Sequence, residues 1–278
     1  LTRALGNPLP LPVTLDLQGS KWRLGDFASF ALEPGARVQL VLAARGTSAD
    51  TLPVPHRDFF RAAASSNGEI VLNDAKSVLR IEAVSGERIR ARVERGGEIS
   101  ANKGITFARS AYRKEALGEK DRQVVEQTRA VAGVQYAVSY VKDAAETARY
   151  RALLPGCRLI AKLERASALA EAPGMAASCD EVWLCRGDLG AELGARAMAA
   201  AVHAFTRQVA SLPVPALLAG QVLEHMTDNP SPTRSELCYL YDALQAGYRG
   251  VVLSDETAVG RYPVEACRTA ALFRGVKA

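Results

Sequence analysis

The stretch CRLIAKLERASALAEAPGMAASCDEVWLCRGDLG (157–190) decides the reading of the fold. It holds two apolar runs, CRLIAKL (157–163) and EVWLC (181–185), with a helical pattern between them over 166–177. A continuous apolar strand, a helix and a second such strand form the pattern of a βαβ unit in a parallel sheet buried on both faces. The alternation repeats outward from there. VQYAVSYV (134–141), PALLAG (215–220) and GVVLS (250–254) read as strands, with helices predicted at 119–131, 144–154, 196–212, 234–246 and 264–273. Local signals agree: Thr233 and Glu236 form a T-x-x-E capping box, Gly247 stops that helix, and Pro263 suits the first turn of the last one.

Residues 24–104 have another texture. RVQLVLA (37–43), EIVLND (69–74), SVLRIEAV (77–84) and RIRARVE (88–94) alternate and are separated by Gly, Asn, Ser and Asp. They predict an all-β module with hairpin turns at SGE (85–87) and RGGE (95–98). LPVTLDL (11–17), before it, reads as one more buried strand. The module is thus inserted between the first and second strands of an α/β domain.

Composition excludes several classes. With 278 residues, 48% hydrophobic and 23% charged, the chain is neither disordered nor membrane-spanning in character, and no apolar run approaches the length of a transmembrane helix. The net charge of +5 is mild. Arg80, Arg88, Arg90, Arg92 and Arg95 alternate with apolar residues, as on a solvated strand face, so no nucleic-acid partner is expected. Five cysteines without CxxC spacing read as free thiols in a reducing cytoplasm. Three scattered histidines do not make a zinc site.

Chemistry is expected at the carboxyl ends of the parallel strands. Lys162 and Glu164 end one strand, and Asp188 in RGDLG follows the next. Two carboxylates suit magnesium, which keeps several waters and lets a substrate supply further oxygens. Lys162 would add a fixed charge for a developing oxyanion, and the RGDLG backbone offers N–H groups to an anion. The same residues also admit a structural reading, with Lys162 and Glu164 as an ion pair and Asp188 capping a turn.

The ordered motifs IAKLE (160–164), WLCRGDLGAEL (183–193), GQVLEHM (220–226), NPSPTRSE (229–236) and LSDETAVGRYP (253–263) resemble the pyruvate kinase family. LDLQGSKWRLG (15–25) is similar to the segment leading into that family's lid, and NDA (73–75), with Asp74, resembles a lid turn. The resemblance implies a TIM-type (β/α) barrel over 1–23 and 105–278, with an inserted β-barrel lid over 24–104. It implies transfer of phosphate between phosphoenolpyruvate and ADP, giving pyruvate and ATP. Glu164 and Asp188 would carry Mg2+ or Mn2+, and Lys162 would be catalytic. Gly187 and Asp188 would hold the substrate carboxylate, Arg23 would reach nucleotide phosphates, and Ser139 would line the substrate site. Leu17, Gln18, Lys21 and Leu24 look like the potassium-independent type, in which the Lys21 ammonium replaces the monovalent ion.

The chain departs from the family pattern in three ways. Gly220 stands where the family has a threonine beside the enolate carbon. Only six barrel strands are recognisable, so the barrel is expected to be incomplete and to be closed by a partner segment or in a homo-oligomer. The chain begins at Leu1 rather than Met, so it is expected either to be a fragment or to have its open barrel edge covered by another chain. The family's carboxy-terminal domain has no counterpart, so its usual allosteric control is not expected. These departures keep two alternatives open: a metal-dependent 2-oxo acid lyase or enolising enzyme, and an inactive homologue that binds a ligand or partner.

Overall fold

A computed structural model describes residues 11–46, 48, 50–73, 76–107 and 117–275. They fall into two compact units. The first comprises the described parts of Leu1–Gly19, Ala116–Gly187 and Arg196–Ala278, and the second those of Ser20–Glu115 and Asp188–Ala195.

Strand β1 (Val13–Leu17) opens the first unit. The chain then builds the second unit from β2 (Phe30–Leu32), β3 (Arg37–Val41), β4 (Thr51–Pro53), helix α1 (Arg57–Ala63), β5 (Glu69–Leu72), β6 (Ser77–Ser85), β7 (Arg88–Arg95), β8 (Gly97–Ile99) and β9 (Ile105–Phe107). Six strands form one sheet in the order β4-β3-β7-β6-β5-β9, and β2 pairs with β8. The period of two is plain in β7, where Ile89, Ala91 and Val93 are buried and Arg88, Arg90 and Arg92 are exposed. On the outer face Arg80 pairs with Glu69 and Glu94, and Arg92 with Glu82, which gives that part of the arginine cluster partners on the same face. Exposed pairs of this kind contribute at most about 1 kcal/mol each.

Two features of this unit differ from the sequence-based expectation. SGE does make the β6–β7 hairpin, with Gly86 at φ +57, but RGGE does not turn β7 back on itself. Strand β8 leaves the main sheet and runs antiparallel to β2. A Cβ at Gly96 would lie 2.1 Å from the Leu32 carbonyl oxygen, so a close backbone approach explains that glycine. The module is also not purely β. Helix α1 buries Phe59, Phe60 and Ala63. Phe59 stacks on Phe107 at 4.5 Å and meets Trp22 edge-on at 5.3 Å. Each such pair adds about 0.5–1.5 kcal/mol beyond area burial. With seven residues, α1 is too short for its periodicity to stand out in the sequence.

The first unit resumes with α2 (Glu119–Thr128), β10 (Val134–Val138), α3 (Ala144–Leu153), β11 (Arg158–Leu163), α4 (Ala166–Met175), β12 (Glu181–Cys185) and α5 (Arg186–Leu193), the last of which runs on into the second unit. After it come α6 (Ala195–Thr206), β13 (Ala216–Ala219), α7 (Arg234–Gln245), β14 (Gly250–Val252), α8 (Asp255–Ala258) and α9 (Pro263–Ala271). Six parallel strands pair in the order β1-β10-β11-β12-β13-β14, the sheet of an incomplete TIM-type (β/α) barrel. Tyr136, Leu159, Ile160, Leu163, Val182, Leu184 and Leu218 are all buried, as a sheet covered on both faces requires. The Thr233–Glu236 capping box is formed. The helix expected over 196–212 ends at Thr206. The Gln208 N–H then bonds the Phe205 carbonyl, three residues back, and Val209–Ser211 forms a 3₁₀ turn. Among the described residues no helix is long and apolar enough to cross a membrane.

Candidate active site

Register places the first cluster. Asp16 on β1 lies opposite Ala137 on β10, which lies opposite Ile160 on β11. Side chains two residues on share a face, so Ser139 and Lys162 stand in the next row toward the strand ends, on the face that carries Asp16. Glu164 follows two residues after Lys162.

The four side chains meet there. Lys162 Nζ donates to Asp16 Oδ2 at 2.9 Å and to Ser139 Oγ at 3.0 Å, and stands 3.2 Å from Glu164 Oε1. Ser139 Oγ donates to Asp16 Oδ1 at 2.8 Å. The Tyr140 N–H donates to Glu164 Oε2 at 2.7 Å. The Glu164 side chain is only 5% exposed and that of Lys162 13%, whereas Asp16 is open to solvent at 54%. Burial alone would depress the Lys162 ammonium. The charges facing it, Glu164 first and Asp16 after, outweigh burial and hold it above the usual lysine value. Lys162 therefore stays cationic throughout the neutral range.

Neighbouring groups hold this end of the sheet. Asp121, on α2, accepts the N–H groups of Gln18 at 3.0 Å and Gly19 at 2.9 Å, and so fixes the chain leaving β1. Gly19 sits at φ +57, and a Cβ there would be 2.1 Å from the Ser139 carbonyl oxygen. At the end of β13 the Arg186 guanidinium donates to the carbonyls of Gly220 and Gln221. Gly220 and Gln221 both adopt the left-handed region, at φ +80 and +55. The space beside Gly220 faces the backbone N–H groups of Arg186 and Gly187, at 3.4 and 3.6 Å from where a Cβ would be.

The second unit carries the other predicted residues. Lys21 Nζ pairs with Asp188 Oδ2 at 2.5 Å, both side chains being 10% exposed. A Cβ at Gly104 would come 2.5 Å from Lys21 Cε, so this glycine makes room for the lysine stem. Asp188 lies in the first turn of α5, where backbone N–H groups lack helical partners. The Arg23 guanidinium donates to the Asn102 carbonyl at 3.0 Å on an exposed surface. Asp74 lies outside the described residues.

The structure therefore joins Lys162, Glu164 and Ser139 in one unit and Lys21 with Asp188 in the other. Sequence reasoning assigned no role to Asp16 and missed its bond to Lys162. It also missed Tyr140 and Asp121. The signal for Asp16 was its parity with Ser139 and Lys162, which becomes visible only once strand register is known. Among the described residues no group of three or more His, Cys, Asp or Glu side chains is arranged to hold a metal ion. Carboxylate oxygens are nevertheless the donors a hard divalent cation takes, and one or two suffice for magnesium. The buried Glu164 fits that chemistry.

The family model described as "Pyruvate kinase, barrel domain" matches residues 3–267. A pyruvate kinase of Methylorubrum extorquens is 34% identical over 263 residues, 94% of this chain and 55% of the relative. A pyruvate kinase of Agrobacterium vitis is 32% identical over 261 residues, 92% of this chain and 54% of the relative. One from Mycobacterium tuberculosis is 31% identical over 263 residues, 92% of this chain and 56% of the relative. The chain spans about half the length of the curated relatives it matches. A match over nearly the whole chain, on an incomplete parallel barrel with a lysine and a buried glutamate at its strand ends, shows that the chain belongs to the pyruvate kinase family.

Proposed function

We propose that this chain performs pyruvate kinase-type phosphoryl transfer, dependent on magnesium or manganese, between phosphoenolpyruvate and ADP. The observation that carries the reading is the Lys162 ammonium held beside buried Glu164 at the carboxyl ends of parallel strands. Phosphoryl transfer asks a protein mainly for positioning and charge stabilisation. Asp16 and Ser139 orient Lys162, so that its ammonium can balance charge on the phosphoryl group and on the enolate oxygen left behind. Glu164 and Asp188 are assigned to the divalent cation, which when bound supplies Lewis-acid charge at the transferring group. Backbone N–H groups of Gly187 and Asp188 would receive the substrate carboxylate, and Arg23 the nucleotide phosphates. The outer edges of β1 and β14 lie at the two ends of the sheet, and we propose that a further segment or a second copy covers them. The five free cysteines suit a reducing cytoplasm.

The Lys21–Asp188 pair supports independence from potassium, since an ammonium already stands beside that carboxylate. Turnover should not change when potassium replaces another monovalent ion at constant ionic strength. A several-fold rise would contradict the assignment.

Gly220 favours a second reading, in which the pocket binds or enolises a 2-oxo acid without kinase turnover. The hydroxyl expected there by family resemblance is absent, and loss of a proton-relay group costs roughly 10²–10⁴ in rate. Gly220→Thr tests this. At φ +80 a β-branched residue is strained by about 1–2 kcal/mol, so the melting temperature should fall by about 2–5 °C. Kinase turnover should nonetheless rise if the missing hydroxyl is the main defect. If turnover stays flat while pyruvate exchanges its methyl protons in the presence of magnesium, the enolising reading is favoured. Oxalate binding that depends on magnesium, with neither reaction, points to an inactive binder.

A further inference from the structure

Tyr140 stands out in the first unit as a bulky residue at φ +65, a conformation that normally costs a side chain with a Cβ free energy. Such an outlier persists only where its surroundings impose it. Its N–H donates to Glu164 Oε2 at 2.7 Å, a bond that depends on the direction in which this strained turn aims the amide. Its ring is buried, and the Arg165 guanidinium carbon lies 4.0 Å from the ring centroid. Arg165 is itself fully buried, which is rare for arginine. Burial lowers its guanidinium from the usual value, while Tyr140, Glu146 and Glu164 draw it back up. Glu146 in turn accepts the Lys142 N–H at 2.9 Å, and the Ser139 N–H donates to the Leu17 carbonyl at 3.0 Å, so the segment after β10 is held on both sides of Tyr140.

From this geometry we infer that Arg165 is a positioning residue: stacked on the Tyr140 ring, it locks the left-handed turn that presents the Tyr140 N–H to Glu164, and so fixes the carboxylate assigned to the divalent cation. A desolvated cation–π contact is strong enough for this task. The lock itself rests on geometry alone, and its consequence for the cation rests on the function proposed above.

The test uses the full chain and two readouts. The first is hydrogen exchange at the Tyr140 amide, and the second is the dissociation constant for Mn2+ measured by electron paramagnetic resonance. Arg165→Met should speed exchange at Tyr140 by about tenfold relative to amides in β11 and β12, and should weaken Mn2+ binding by about five- to tenfold. Arg165→Lys, which keeps the charge but not the planar stack, should recover part of both. If Arg165→Met does not fold, Tyr140→Leu and Arg165→Lys carry the same comparison. Unchanged exchange at Tyr140, or an equal acceleration throughout β10–β12, would overturn the lock. If the unaltered chain fails to bind Mn2+, the proposed function falls, and the exchange measurement still decides whether Arg165 locks the turn.

Discussion

Lys162→Met should lower the rate of phosphoryl transfer by about 10³ while leaving substrate affinity within a few-fold, because a charge aimed at a developing anion contributes chiefly in the transition state. The substitution keeps the length of the stem and removes the ammonium that now contacts Asp16, Ser139 and Glu164. That ammonium stands 3.2 Å from buried Glu164. Breaking a buried pair from one side costs about 3–5 kcal/mol, so the melting temperature should fall as well. Steady-state kinetics run well below the variant's melting temperature separate the two effects. A variant that stays folded and keeps a tenth or more of its turnover would remove Lys162 from the mechanism. Lys162→Arg is the stricter companion: it keeps the charge but not the compact geometry, and should also lose most of the rate.

The second large effect concerns Glu164. Glu164→Gln preserves size and one acceptor for the Tyr140 N–H but removes the carboxylate charge. Loss of a ligand to a hard cation should raise the magnesium concentration for half-maximal rate by about 10–100-fold and lower the maximal rate by about 10². Lys162 retains Asp16 as an ionic partner, so the stability loss should be smaller than for Lys162→Met, about 1–3 kcal/mol. A magnesium titration together with a thermal melt reads both. An unchanged magnesium requirement would assign Glu164 to structure alone, as the ion partner of Lys162.

Local signals brought the sequence reading close to the fold. The apolar run before Lys162 became β11, the T-x-x-E pattern at Thr233 became a complete capping box, and Pro263 opens α9. These rest on neighbours along the chain, where periodicity and backbone chemistry act directly. What escaped depends on contacts distant in sequence. Helix α1 exists because Phe59 finds Trp22 and Phe107, neither of which its seven residues announce. Strand β8 leaves β7 because Gly96 lets the backbone approach Leu32. Within the candidate site, Lys162 and Glu164 were legible because both sit at the end of one apolar strand. Their partners were not. Asp16 reaches Lys162 across 146 residues through strand register, and Tyr140 reaches Glu164 through an unusual backbone angle that its side-chain type argues against. Arg165, the residue before α4, has no signal in the sequence that announces its burial against an aromatic ring.

The most direct measurement is a coupled assay of pyruvate formation from phosphoenolpyruvate with ADP and magnesium, run on the unaltered chain and on Lys162→Met. Turnover should require both ADP and the divalent cation and should fall by about 10³ in the variant. Pyruvate formation absent in the unaltered chain, or present without ADP, or equal in the two proteins, would contradict the proposed function.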